Sequence, residues 1–111
     1  MMLTVYVKHY LTPAGLEYLE SEWFPLVLTE MIQHEGYLSC VYEIRGDCVD
    51  IRIQFKDEPS FDAYAEAPNH DQLAKMLDPY RSRNHWQAVR TTDPKADPSS
   101  LEWDVIDPAT Y

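Results

Sequence analysis

Four histidines, at positions 9, 34, 70 and 85, are the side chains of this sequence best suited to moving protons near neutral pH. None forms an H-x-H pair or stands four residues from another, the spacings that bring two imidazoles to one metal. No metal is therefore expected. His70 lies in Asn69-His70-Asp71, just after Pro68, where a helix is expected to begin. A histidine there can take a proton from a bound substrate, because its pKa lies close to operating pH. It can equally be a helix-start residue held by its neighbours. Tyr6, Tyr64 and Trp86 offer flat faces on which a phenolic ring stacks, and a tyrosine hydroxyl can orient a substrate oxygen. The competing reading of these rings is ordinary core. Lys8, Arg52 and Glu43 fall on the polar side of expected strands. They could polarise a carbonyl or an enolate, or form a contact between subunits in which Arg52 offsets Glu43 and Asp50 across a hairpin.

Other chemistries lack support. The two cysteines, Cys40 and Cys48, are too few for a disulfide framework and lack the C-x2-C spacing of a metal or redox site. There is no glycine-rich phosphate loop and no G-x-S-x-G turn. Arg45-Gly46-Asp47 matches an integrin-binding tripeptide but reads as a hairpin turn, with Gly46 filling a positive-φ position. Nineteen acids against nine bases leave a net charge of −10 on 111 residues. Such a surface repels phosphate backbones and anionic lipid, so neither nucleic acid nor membrane is an expected partner. The opening MMLTVYVKHYL lacks the charged start and long apolar run of a signal peptide, and a cytoplasmic location is expected.

The elements that must hold these residues follow from periodicity. Leu3, Val5 and Val7 alternate with Thr4, Tyr6 and Lys8, the period of a strand. Thr12 suits an N-cap and Pro13 a first helical position. Leu16, Leu19, Trp23, Leu26, Val27 and Met31 then form a helical stripe. Pro25 interrupts it and predicts a kink or two abutting helices. Residues 37–44 and 48–56 form a hairpin. If Gly46 and Asp47 make the turn, paired positions sum to 93, and Leu38, Cys40, Tyr42 and Ile44 share an apolar face with Val49, Ile51, Ile53 and Phe55. That register sets Cys40 opposite Ile53 and Cys48 opposite Arg45, on different faces and too far apart for a disulfide. Asp57-Glu58-Pro59-Ser60 opens a second helical region, Pro68 a further stretch, and residues 84–92 a last strand.

The order is βαββαβ, an α+β ferredoxin-like domain with a four-stranded antiparallel sheet over residues 1–92. Its helices cover one sheet face and leave the other bare, which calls for a partner. Residues 93–111 form an acidic, proline-containing tail in which 101–106 alternate and could add a short strand.

In this order of elements the chain resembles the antibiotic biosynthesis monooxygenase family of the dimeric α/β-barrel superfamily. The resemblance spans residues 3–92. It rests on the strand leading into a long helix, on His-Glu-Gly-Tyr-Leu (34–38), on the hairpin, and above all on Lys-Asp-Glu-Pro-Ser-Phe-Asp-Ala-Tyr-Ala-Glu-Ala-Pro-Asn-His (56–70) followed by Gln-Leu-Ala-Lys-Met-Leu. It implies a homodimeric barrel and a monooxygenase that acts, without cofactor, on a small aromatic or quinol-like molecule. His70 would then be a base beside the family's cleft, with Tyr6, Lys8, Arg52, Tyr64 and Trp86 lining a ligand cavity. The alternative on the same fold is a non-catalytic module that binds a small ligand or a protein. The family's haem-degrading branch is not expected: the resemblance sets Lys8, Tyr64 and Ala74 where that branch needs Asn, Trp and His.

Overall fold

A computed structural model describes residues 1–108. Five strands form one antiparallel sheet in the order β2-β3-β1-β4-β5. They are β1 (Leu3–Tyr10), β2 (Tyr37–Arg45), β3 (Cys48–Phe55), β4 (Trp86–Thr91) and β5 (Asp104–Ile106). The first four give the expected ferredoxin-like arrangement. The fifth comes from the tail and pairs Trp86 with Ile106 and Ala88 with Asp104, so the sheet has five strands rather than four.

Two helices, α1 (Pro13–Tyr18) and α2 (Phe24–Met31), follow β1. The Thr12 hydroxyl caps α1 by accepting from Gly15 N–H at 3.2 Å. The expected kink takes the form of a π-helical turn over Leu19–Trp23, in which Phe24 N–H reaches back to Leu19 O. Pro25 has no N–H to give the preceding turn, and one wider turn absorbs the defect without breaking the rod. The extra residue has a second effect. Leu19, Trp23, Val27 and Met31 are all buried. A strict four-residue spacing drifts around an ordinary helix of 3.6 residues per turn, and the wide turn brings the stripe back over the sheet.

The hairpin register is as read, from Arg45↔Cys48 to Ser39↔Gln54. Beyond Ser39 a bulge shifts the pairing to Tyr37↔Phe55. Tyr37 therefore turns inward against Phe55, with ring centroids 6.1 Å apart, and Leu38 is left 52% exposed instead of joining the core. Helices α3 (Glu58–Ala65) and α4 (Pro68–Lys75) and a 3-10 turn (Asp78–Tyr80) lead back to β4. Asp57 caps α3 by accepting from Ser60 N–H at 2.9 Å, and the Ser60 hydroxyl together with that N–H holds its carboxyl below the usual range. The Trp23 indole N–H donates to Leu73 O at 2.7 Å and ties the long helix to α4. The core lies between the helices and the sheet face carrying Leu3, Val5, Val49, Ile51, Ile53 and Phe55. No helix among the described residues is long and apolar enough to cross a membrane.

Candidate functional site

Alternation decides which side chains can meet. On β1, Val5, Val7 and His9 face the helices, while Tyr6, Lys8 and Tyr10 face the open side. On β4, Trp86, Ala88 and Arg90 share the helix side. Between that side and the helices lies a cavity of about 250 Å³. Its walls are largely apolar, from Val7, Val27, Ile51 and Leu73 to Trp23, Tyr64 and Trp86, and its polar groups are few. His9 and His70 both border it. At one edge stand Ile106 and Asp104 of β5, so the tail supplies part of the wall.

The structure divides the six residues expected to form the site. His70, Tyr64 and Trp86 border this cavity. Tyr6, Lys8 and Arg52 border a separate, more polar cleft of about 600 Å³ on the open face, together with Asp97, Ser99 and Trp103 of the tail. There Trp103 covers Lys8, with the ammonium 4.7 Å from its ring centroid. Arg52 stands across from Tyr6 and Val41 in the sheet. The acids Arg52 was expected to offset are met by Arg45, at 3.1 Å from Glu43 and 3.6 Å from Asp50.

Tyr64 is buried, stacked on Phe55 and edge-on to both His34 and His70. Burial raises the pKa of its hydroxyl, so the phenol stays protonated at any working pH. The His70 ring is edge-on to Tyr64 with centroids 5.2 Å apart, and its Nδ1 is 3.4 Å from Asp71 Oδ1. A carboxylate only accepts, so in this contact Nδ1 is the donor and Nε2 is left for other partners. His85 packs on Tyr10, away from this cavity. The thiols are unpaired, and burial pushes Cys40 up to about 12 and Cys48 to about 11, which leaves both weak nucleophiles.

Two functional candidates escaped sequence reasoning. His9 is 4% exposed, lies 5.7 Å edge-on from Trp23 and 5.1 Å from Trp86, and holds Arg81 Nη1 at 3.1 Å on its Nδ1. Arg81 in turn binds Asp78 at 2.8 Å with its own side chain 4% exposed. The signal for His9 is present in the sequence, since the Leu3, Val5, Val7 alternation continues onto it. Lys8, matched to the strand-one position of the haem-degrading branch, points to the other face. No group of three or more metal-ligating side chains occurs among the described residues.

This ferredoxin-like α+β fold is shared by solved structures described as antibiotic biosynthesis monooxygenases and related oxygenases. The monooxygenase of gene ActVA-Orf6 of Streptomyces coelicolor, in complex with the ligand nanaomycin D, superposes with a TM-score of 0.72 at 20% identity, over 86% of this chain and 89% of that one. SnoaB, a cofactor-independent oxygenase from Streptomyces nogalater, gives 0.71 at 12% identity, over 87% and 97%. Rv0793 from Mycobacterium tuberculosis gives 0.71 at 11% identity, over 88% and 99%. At these identities the likeness is one of fold. No family model matches the sequence, and no curated protein matches it.

Proposed function

We propose that the chain is a cofactor-independent monooxygenase of the antibiotic biosynthesis type, acting on a small phenolic, quinol-like or anthrone-like molecule. The observation that carries this reading is the cavity itself: Trp23, Tyr64 and Trp86 line it without filling it, and two histidines border it. Aromatic walls hold a flat ring and exclude water. His70, its Nδ1 held by Asp71, takes the acidic proton of the bound substrate on Nε2. The resulting carbanion or phenolate gives its electrons to dioxygen. One oxygen atom ends on the substrate carbon and the other leaves as water, both reducing equivalents coming from the substrate. Fold alone does not dictate activity; SnoaB, a cofactor-independent oxygenase, and the ActVA-Orf6 monooxygenase support the reading by sharing the fold.

The working unit of this proposal is a homodimer that pairs the open sheet faces, in a reducing cytoplasm that keeps Cys40 and Cys48 as thiols. The test is oxygen consumption against naphthols, quinols and anthrones. A turned-over substrate should lose its turnover in His70→Ala, while the melting temperature stays nearly unchanged because the ring is partly exposed. Equal turnover in both proteins removes His70 as the base. No oxygen uptake with any substrate of these classes removes the oxygenase reading.

A further inference from the structure

His9 is a buried polar group of the cavity wall, and its protonation is fixed from behind. A guanidinium has five N–H donors and no acceptor. Its contact with His9 Nδ1 at 3.1 Å is therefore a hydrogen bond only if Nδ1 carries the lone pair. A proton on that nitrogen would face an arginine N–H head-on, and a doubly protonated ring would set two buried cations together. The ring must be neutral with its proton on Nε2. Arg81 is not free to turn away, because Asp78 holds its Nε at 2.8 Å and Ala74 O lies 3.5 Å from its other terminal nitrogen. Around the ring stand Trp23 from the π-helical turn, Trp86 from β4 and Val49 from β3, none of them charged. Arg81 is the charged group that bears on it among the described residues. Arg81 and Asp78 do not border the cavity, whereas His9 does.

We infer that Asp78 and Arg81 lock His9 as the Nε2–H tautomer and so present a neutral hydrogen-bond donor to an oxygen of the aromatic molecule in the cavity. This rests on the oxygenase reading for the ligand and on geometry alone for the tautomer. The two cavity histidines then have opposite capacities, His70 Nε2 accepting a proton and His9 Nε2–H donating to the phenolate or enolate oxygen that results. Such a donor is fixed in place before charge develops, which is where electrostatic stabilisation is most effective. Arg81 is a positioning residue in this scheme, since it acts only through His9.

Nitrogen NMR of the full chain, labelled with 15N-histidine, reads the tautomer directly. At pH 7 His9 should give a pyridine-type Nδ1 and a pyrrole-type Nε2, and titration with 1-naphthol should move the Nε2 proton downfield. Arg81→Met, which removes the donor, should leave mixed tautomers and weaken 1-naphthol binding by up to about tenfold, about the loss of one hydrogen bond to a neutral oxygen. Arg81→Gln, whose amide can still donate to Nδ1, should restore the Nε2–H form. An Nδ1–H or doubly protonated His9 in the unmodified protein overturns the inference and leaves the oxygenase reading standing. So does 1-naphthol that binds without moving the Nε2 proton, or that fails to bind. If the oxygenase reading alone is wrong, the tautomer and the naphthol response will be as stated in a protein that consumes no oxygen.

Discussion

His9 carries a cost that can be measured. Burial, and secondarily the Arg81 charge, lower its pKa from 6.5 to about 3. Between those values the unfolded chain binds a proton that the native chain refuses. Stability should thus fall as pH drops below 6.5, by up to about 1.4 kcal/mol per pH unit from this group, and be indifferent to it above 6.5. Carboxylates titrate in the same range, so the comparison is with His9→Gln, whose amide oxygen can still accept from Arg81. Urea unfolding from pH 7 to pH 4 should give a steeper acid decline in the native protein than in the variant. Parallel curves would mean that His9 is charged in the fold or is reached by water. The same neutrality matters for chemistry, because a cationic His9 would repel Arg81 and loosen the wall next to the substrate.

At the scale of elements, the lock depends on a close approach between the start of α1 and the 3-10 turn. A Cβ on Gly15 would stand 2.7 Å from Tyr80 Cβ and 3.0 Å from Tyr80 O, and backbone cannot yield as a flexible side chain does. Thr12 N–H donates to that same Tyr80 O at 2.8 Å, and Tyr18 stacks on the Tyr80 ring with centroids 4.7 Å apart. Gly15→Ala should therefore destabilise the fold by about 1–3 kcal/mol through overpacking and, by displacing the turn that carries Arg81, raise KM for any substrate. Thermal unfolding beside steady-state kinetics checks both; an unchanged melting temperature would show that the turn gives way. Elements of this kind differ in how legible they were. The hairpin was readable because Gly46 fixes the turn and the two faces differ sharply in polarity. Leu38 was misplaced because the bulge answers to the bulk of Tyr37 against Phe55, a contact that alternation cannot see. Tyr64 and Trp86 were legible as apolar positions of regular elements. Lys8 and Arg52 were grouped with them because a sequence separates two sheet faces without saying which one encloses a cavity. Arg81 sits between the 3-10 turn and β4, where no period assigns a direction to a side chain.

For the whole molecule the open sheet face and the charge pull against each other. The face carries Val41, 47% exposed, beside Arg52 and Tyr6, and the tail covers only part of it through Trp103 and the Asp97–Ser99 stretch. A sheet face that no helix covers favours pairing with a second copy. Each copy, however, brings a net charge of −10. Five acids and one lysine over residues 93–111 leave −4 of that on the tail, part of which lies against this same face. Two protomers that approach through it must therefore bring like charges together. The repulsion acts over a Debye length, roughly 30 Å at 0.01 M salt and about 8 Å at 0.15 M, whereas apolar burial is not screened. The dimer should accordingly tighten as salt rises. Light scattering should give a mass near twice 13.0 kDa, with dissociation on dilution most evident at low salt and in Val41→Asp. A dimer that weakens with salt would mean that ion pairs such as Arg52 with a partner's acid hold it, and a stable monomer at low micromolar concentration would remove the barrel. The cavity histidines lie on the other side of the sheet, so Val41→Asp should leave the His9 tautomer untouched even where it splits the dimer.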